Sequence, residues 1–374
     1  MKKSTFQFSL ALVLFGTISA QAQITISPLT TFGGGDGWFK PGEGGYTYLT
    51  TGATERGLGF GNGHLYLVSR ASGSQIRILN PLTGADLGAL DNTGISGGVN
   101  AVNTIGVGGD GAIYVNNLTT QSTTSPLKIY KWATEIAAPT VAYSGDAGLA
   151  GSRAGDSMVA IGSGSSTRLA LGYGSTPAVA GNNSYTIVDP TAGTATAIAI
   201  AGTPVPAAGA FRLGIAFTDA SHVIGSQGSS LYNYTSFSGA AGLSISAPAI
   251  PDPAGATADR LMAVTVLNGL TLLAMQSTGD SHVSLYDVSN PSTPIWLASG
   301  NNTDITRAAN TGATGQLAWG DVTDLGNGIL QQNLYAMGTS QGIQAFIVQV
   351  PEPGSFAMVA LGFGAFVAIR RFRK

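Results

Sequence analysis

The sequence predicts an all-β fold, and within that class a β-propeller of six blades, with seven blades as the nearest variant. Between about residues 23 and 348, short β-rich apolar runs alternate with segments of Gly, Asn, Ser, Thr and Pro. Long stretches with a 3.6-residue apolar period are absent. The apolar runs recur six times at a spacing of about 50 residues, which is a period typical of propeller blades.

Each unit begins with a run of small residues. These first runs cover residues 57–60, 104–107, 158–161, 213–217, 261–266 and 317–320. Gly and Ala allow neighbouring backbones to approach closely, so we expect the first runs to line the crowded central channel.

Two further runs follow the first one in every unit. The second runs are strongly apolar and are expected to be buried: residues 64–68, 112–115, 168–172, 222–225, 270–274 and 333–337. The third runs alternate, as half-exposed strands do: residues 75–79, 127–130, 184–188, 230–234, 282–286 and 342–347. A fourth run follows several times, as in residues 195–200 and 294–298.

Turn chemistry supports this division. Asn80-Pro81, Asp189-Pro190 and Asn290-Pro291 end three of the third runs, and Asn or Asp before Pro favours a turn into an outer strand. The sixth unit lacks a fourth run, whereas residues 24–29 belong to no unit. We therefore expect residues 24–29 to fill the vacant position and close the ring, which removes open sheet edges. The alternative folds are a pair of β-sandwiches or a β-helix, although a β-helix would show a shorter period.

The N-terminal segment has the three parts of a secretory signal. Lys2 and Lys3 precede an apolar run over residues 6–18, and Ala20-Gln21-Ala22 is a small-residue cleavage site. We predict that residues 1–22 are a signal peptide removed by signal peptidase after Ala22. The alternative is an N-terminal core helix.

The C-terminal segment is equally distinctive. Pro351-Glu352-Pro353 precedes an uncharged apolar run over residues 356–369, and Arg370, Arg371, Arg373 and Lys374 end the chain. The run is just short of the usual length of about 17–25 residues for a membrane-spanning helix. The basic end belongs on the cytoplasmic side of the membrane. The pattern predicts a short transmembrane helix that holds the body outside the cell.

This tail, residues 349–374, resembles the PEP-CTERM protein-sorting signal: a Pro-Glu-Pro motif, a short transmembrane segment and an Arg-rich terminus. The resemblance implies transient anchoring in the inner membrane and recognition by an exosortase, a membrane protease. It further implies cleavage near residues 351–353 and delivery to the cell surface or beyond. Such proteins are typical of Gram-negative bacteria that make exopolysaccharide and biofilm. The alternative is a permanent membrane anchor.

In the body of the chain, residues 283–294 resemble the repeat of LVIVD-type bacterial surface propellers.

Composition excludes several classes of function. The chain has no Cys, so neither disulfides nor a thiol nucleophile is available. Only 10% of residues are charged, and 18 of the 19 acidic side chains but 11 of the 17 basic ones lie between the two terminal segments. This acidic body argues against nucleic acid or anionic lipid as a partner.

Catalytic signals are weak. His64, His222 and His282 do not form a cluster with ligand spacing, and no cofactor or metal site is predicted. Gly and Asp residues at 33–38 and 108–111 are better explained by hairpin turns than by calcium sites. Trp38, Phe39, Tyr46 and Tyr48 occupy a Gly-rich loop, where they either pack under the first blade or stack on sugar rings.

Four acids, Asp110, Asp156, Asp219 and Asp321, are the candidates for a catalytic cluster at one mouth of the channel, although Asp is also a common turn residue. The predicted function is a non-catalytic surface or matrix protein that contacts exopolysaccharide. The alternative is an exported propeller enzyme, a hydrolase or lyase acting on sugars or phosphate esters.

Overall fold

The computed structural model describes residues 23–177, 184–228, 232–251, 259–302 and 307–352. Within these ranges the chain forms 26 strands in six sheets, together with short 3-10 turns at Gly33–Gly35, Glu43–Gly45 and Gly164–Ser166. The predictions of an all-β fold and of a six-bladed propeller are both confirmed. None of the helical turns in the described ranges is long or apolar enough to cross a membrane.

The first three blades follow one another along the chain, each as a four-stranded antiparallel sheet. Blade 1 contains β3 (Glu55–Gly61), β4 (His64–Ser69), β5 (Gln75–Leu79) and β6 (Asp86–Ala89). Blade 2 contains β7 (Asn100–Val107), β8 (Ile113–Leu118), β9 (Leu127–Trp132) and β10 (Thr140–Gly145). Blade 3 contains β11 (Val159–Ile161), β12 (Arg168–Gly172), β13 (Tyr185–Asp189) and β14 (Thr194–Ala197).

The remaining blades complete the ring. Blade 4 contains β16 (Gly214–Asp219), β17 (His222–Ser226), β18 (Asn233–Ser238) and β19 (Ala241–Ser246), with β15 (Ala199–Gly202) added at its edge. Blade 5 contains β20 (Asp259–Leu267), β21 (Leu270–Ser277), β22 (Val283–Asp287) and β23 (Ile295–Gly300). Blade 6 contains β24 (Gly315–Asp324), β25 (Ile329–Gly338), β26 (Gly342–Pro351), β1 (Thr25–Pro28) and β2 (Trp38–Phe39).

The ring closes between the two ends of the described chain. β1 pairs antiparallel with β26, with Ile26 opposite Val348, and so supplies the outer strand that residues 342–351 lack. The predicted role of residues 24–29 is therefore confirmed. The short β2 also pairs with β26 and brings the N-terminal loop onto the same blade.

In the described residues the core consists of six clusters, one at each interface between neighbouring blades. Successive side chains of a second strand pack into the interfaces on the two opposite faces of the blade, because side chains alternate across a strand. In β4, Leu65 and Leu67 pack towards blade 6, whereas Tyr66 and Val68 pack towards blade 2. Burial on both faces explains why the second runs are continuously apolar rather than alternating.

The inner strands are β3, β7, β11, β16, β20 and β24, and each contacts the next around the ring. Glycine is required where these strands approach most closely. A Cβ atom on Gly57 would lie 3.0 Å from the Cα of Thr104, and one on Gly214 would lie 1.7 Å from the carbonyl oxygen of Arg260. The expectation that small residues permit close approach around the channel is confirmed.

Three details differ from the sequence predictions. Residues 195–200 do not form one strand: the chain turns at Ile198, which is fully buried, and the second half joins blade 4 parallel to β19. The third strand of blade 4, Asn233–Ser238, continues past residue 234, where the predicted run ended. The third strands are also more buried than expected, with four of the five residues of β22 buried, because fourth strands and neighbouring blades cover them.

Candidate functional site at the channel mouths

The inner strands enclose a channel of about 390 Å³. Its wall is mainly apolar and includes Phe60, Ile105, Met158, Leu261 and Trp319. An apolar wall of this kind supplies shape and excludes water, but it offers few groups for acid or base chemistry.

Gln316 crosses this channel. Its Oε1 accepts hydrogen bonds from the backbone N–H groups of Leu58 (3.2 Å) and Ile105 (3.3 Å). Its Nε2 donates to the carbonyl oxygens of Ile105 (2.6 Å) and Met158 (3.0 Å). One amide therefore ties blade 6 to blades 1, 2 and 3, and it satisfies backbone groups on inner strands that have no further strand beside them.

The two ends of the channel differ in charge. Every inner strand runs from one end to the other in the same direction. At the end where these strands begin, four of the arginines form what we call the arginine mouth: Arg56, Arg153, Arg212 and Arg260. Asp219 and Asp324 end the inner strands β16 and β24, Asp110 follows β7, and Asp321 lies in the last four residues of β24. We call this end the acidic mouth.

The arginine mouth is organised around one buried carboxylate. Arg153 contacts the carboxylate of Asp156 with two nitrogens, Nε at 2.5 Å and Nη2 at 2.7 Å. The Nε of Arg212 contacts the same carboxylate at 2.8 Å. Asp156 is only 3% exposed in its side chain, so it depends on these two arginines for its hydrogen bonds. Arg56 donates from Nη1 to the hydroxyl of Thr314.

Burial and neighbouring charges shift the pKa values of several groups at the arginine mouth. Burial alone would raise the pKa of Asp156, but the hydrogen bonds and charges of Arg153 and Arg212 outweigh burial and hold that pKa below its usual range. Burial lowers the pKa of Arg56, and the positive charges of Arg153 and Arg212 add to that effect. Burial and then the charge of Arg212 lower the pKa of Arg260. The positive charges of the mouth therefore repel one another at close range.

The four candidate acids do not meet in one cluster, because Asp156 lies at the arginine mouth while the other three acids lie at the opposite end. Those three occupy separate hairpins of blades 2, 4 and 6. Asp110 accepts a hydrogen bond from the N–H of Gly164 at 3.0 Å, and Asp219 contacts Nδ1 of His222 at 2.8 Å. Within the described ranges, no group of three or more His, Asp or Glu side chains could hold a metal ion.

The other candidates are turn or packing residues. His64 pairs with Glu135 at 2.7 Å at the start of β4. Asp36 accepts a hydrogen bond from the N–H of Trp38 at 2.9 Å, as a turn residue does. Trp38, Phe39 and Tyr48 are buried, and Phe39 and Tyr48 belong to the cluster between blades 6 and 1. Of the two interpretations of this aromatic loop, packing is the one observed for these three side chains.

The sorting segment begins within the propeller. β26 extends to Pro351, which pairs with Ile329, and the N–H of Glu352 donates to the carbonyl oxygen of Gly328 at 2.6 Å. Pro353, the predicted transmembrane helix, Arg370, Arg371, Arg373 and Lys374 lie outside the described residues, as do Ala20 and Ala22 at the other end.

The sequence reasoning missed the arginine mouth, although the repeats contain a signal for it. Arg56, Arg212 and Arg260 each stand immediately before the first run of their unit. Aligning the six units on their inner strands would have placed these three side chains at one end of the channel. Arg153 and its distance from Asp156 could not be placed in that way, because both lie in a loop between blades.

Comparison with known proteins identifies the tail and the fold. Residues 349–374 match the PEP-CTERM protein-sorting motif. No curated protein of similar sequence was found. A DUF4623 family protein from Bacteroides eggerthii has a similar structure, with a TM-score of 0.57 and 16% identity, over 80% of this chain and 71% of that one. AofleA from Arthrobotrys oligospora, in a form with three arginines replaced by alanine, aligns with a TM-score of 0.50 and 13% identity, over 81% and 85% of the two chains.

At these identities the two structures establish the fold alone. The sorting motif implies more: export from the cell, processing by an exosortase and sorting to the cell surface. The chain thus combines an exosortase sorting signal with a six-bladed propeller body.

Proposed function

We propose that this chain is a non-catalytic protein of the cell surface or exopolysaccharide matrix. Signal peptidase removes residues 1–22, and the propeller of residues 23–348 is exported. Residues 349–374 hold the body transiently in the inner membrane until an exosortase releases it. The body then contributes structure or binding to a biofilm matrix, with exopolysaccharide as its partner and no role in binding nucleic acid.

The observation that carries this proposal is the distribution of titratable groups. The candidate carboxylates are divided between the two ends of the molecule, and the buried one, Asp156, is already bonded to two arginines. Between the two ends, the channel is apolar and Gln316 crosses it. Acid or base catalysis needs groups with matched pKa values that converge on one reacting atom. The arrangement favours a binding or structural body over a catalytic one.

The residues proposed for sorting follow from the terminal motifs. Ala20 and Ala22 form the signal peptidase site. Pro351, Glu352 and Pro353 direct exosortase recognition. Arg370, Arg371, Arg373 and Lys374 keep the extreme C-terminus on the cytoplasmic side, because cationic residues flanking a span favour that side.

The proposal is tested by following the protein in its own cells. An epitope inserted after Ile136, which is 97% exposed, would survive processing at either end. We expect the tagged protein in the extracellular matrix fraction of cells that make exopolysaccharide and in the free medium of cells that do not. Retention in the periplasm in both strains would contradict a surface role, and an unchanged distribution without exopolysaccharide would contradict matrix association.

A further inference from the structure

The arginine mouth carries more positive than negative charge within the described residues. Asp156 is shared by Arg153 and Arg212. Glu55, the other carboxylate that acts on Arg56, is fully buried, and its Oε1 accepts hydrogen bonds from the N–H of Thr50 at 2.5 Å and the hydroxyl of Thr54 at 2.9 Å. Asp259, the first residue of β20, is a third buried carboxylate at this end and lies 3.8 Å from Nε2 of His282. The four guanidinium groups of the arginine mouth therefore outnumber the carboxylates beside them, and Asp156 and Glu55 already have hydrogen-bond donors.

Two of the arginines have donors to spare. No hydrogen-bond acceptor for the Nε of Arg56 or Arg260 is found in the part of the chain that the structure describes. The guanidinium of Arg260 lies against the backbone of Gly228, where an added Cβ would be 2.3 Å from its Cζ. Both arginines are half-buried, so their unused donors are held in place rather than moving freely in solvent. Guanidinium donors form a planar fork that matches a carboxylate.

The mouth faces away from the point where the sorting tail leaves. β1 begins and β26 ends at the acidic mouth, since Thr25 pairs with Gln349 and Pro351 pairs with Ile329. The ten residues of β26, at about 3.4 Å per residue, separate the two mouths by roughly 30 Å. Attraction to anionic lipid is screened over a Debye length of about 8–10 Å. The anionic lipids of a membrane that holds the tail are therefore too far away to be the ligand of these arginines.

We propose that the arginine mouth binds a carboxylate group of an acidic polysaccharide, that is, a uronic acid residue. Arg56 and Arg260, which each lie within electrostatic range of Arg212, supply the unused donors, while Arg153 and Arg212 are held by Asp156 and contribute positive charge. The bound anion relieves the repulsion that remains among these arginines in the part of the chain that the structure describes. This inference rests on the proposed function only in taking exopolysaccharide as the source of the ligand.

Binding is measured by calorimetry on the full-length chain in a neutral detergent. The probes are tetragalacturonate, neutral maltotetraose, inorganic phosphate and vesicles that contain anionic lipid. The test variant is R56Q/R260Q, which leaves the contacts of Asp156 intact. The matched control is R77Q/R168Q, which removes the same charge from two arginines that pair with Asp86 and Asp189 elsewhere. Thermal unfolding of both variants checks that they remain folded.

We expect tetragalacturonate to bind, and maltotetraose not to bind. R56Q/R260Q should weaken binding by at least about tenfold, since hydrogen bonds to charged groups are the strong ones. The control should leave it unchanged. Raising NaCl from about 50 mM to about 500 mM should weaken binding as charges are screened. The inference would be overturned if maltotetraose bound as tightly as tetragalacturonate, or if both variants lost the same affinity. Tighter binding of phosphate or of the vesicles than of tetragalacturonate would overturn it as well. Because the assay uses purified protein, its outcome is independent of whether sorting occurs as proposed.

Discussion

Gln316 shows how a single side chain can organise a ring of sheets. An inner strand has a neighbouring strand on one side only, so its other edge presents unpaired backbone groups to the channel. The amide of Gln316 has two acceptor sites and two donors, and all four are used by backbone groups of blades 1, 2 and 3. Removing it should therefore affect three blades at once.

We predict that Gln316→Leu lowers the free energy of unfolding by about 2–3 kcal/mol, because Leu fills a similar volume but leaves the channel-facing backbone groups without partners. The measurement is urea denaturation followed by circular dichroism. Gln331→Leu is the matched control, since the side chain of Gln331 accepts a hydrogen bond at 3.0 Å from the side chain of Gln349, on the neighbouring strand of the same blade. Equal losses in the two variants would argue against a bridging role.

Asp156 is a buried carboxylate that two arginines share. We predict that Asp156→Asn lowers the free energy of unfolding at pH 7 by about 2–4 kcal/mol, somewhat less than for a fully buried pair, because the arginines are partly exposed. Asp189→Asn, which alters a more exposed pair with Arg168 and keeps its turn hydrogen bonds, is the control and should cost less. The comparison is made by chemical denaturation.

The pH dependence of this effect has a definite sign. The folded-state pKa of Asp156 lies below its unfolded value. Its ionisation therefore stabilises the fold fully above the unfolded pKa of about 3.9, and this contribution is lost as the pH falls through the lower folded pKa. The stability difference between wild type and Asp156→Asn should shrink below about pH 4. A difference that stays constant from pH 7 to acid would contradict the assigned ion pairs.

At the scale of strands, the closing element decides whether the ring is stable. Ile26 of β1 packs close to Gly300 of blade 5 and is a partly buried side chain against the cluster between blades 5 and 6. We predict that Ile26→Asp lowers the free energy of unfolding by about 2–4 kcal/mol, because it places a carboxylate in an apolar contact. Ser27→Asp, on the exposed side of the same strand, should have little effect. If limited proteolysis digests the two variants at the same rate, the packing of Ile26 is not what holds β1 in the ring.

The strands were predictable where burial imposed a pattern, and less so elsewhere. The second runs had to be apolar throughout because both faces of β4 and its counterparts are covered. Asn80 and Asp189 marked turns because their side chains accept backbone hydrogen bonds two residues onward. The split of residues 195–200 left no such mark, since Ala and Thr suit a strand in either blade. The arginine mouth depends on loops that bring Arg153 to Asp156, and loop paths are not encoded in periodicity.

At the scale of the whole molecule, charge is arranged along the channel axis. The sorting tail leaves the described structure at the acidic mouth, and the arginine mouth lies at the other end. While the tail is held in the membrane, the proposed carboxylate site would point outward. Release by an exosortase would free the body without altering that site, because the cleavage motif lies at the opposite end of the propeller.

The sorting motif itself gives a prediction about processing. Replacing Pro351, Glu352 and Pro353 with Ala should leave uncleaved protein in the inner membrane, because exosortase recognition is lost while the apolar segment remains. Replacing Pro190 and Pro291, which lie in turns between outer strands, is the matched control and should leave sorting unchanged. Cell fractionation followed by immunoblotting distinguishes the two.

The most direct test of the account is the intact mass of the protein recovered from the cell surface or medium. We predict a chain that begins at Gln23 and ends near residues 351–353, so that the signal peptide and the apolar tail are both absent. In cells that express the Pro351, Glu352 and Pro353 triple-Ala form, that species should disappear. Surface protein whose mass still includes residues 354–374 would contradict exosortase processing, and with it the delivery on which the proposed function depends.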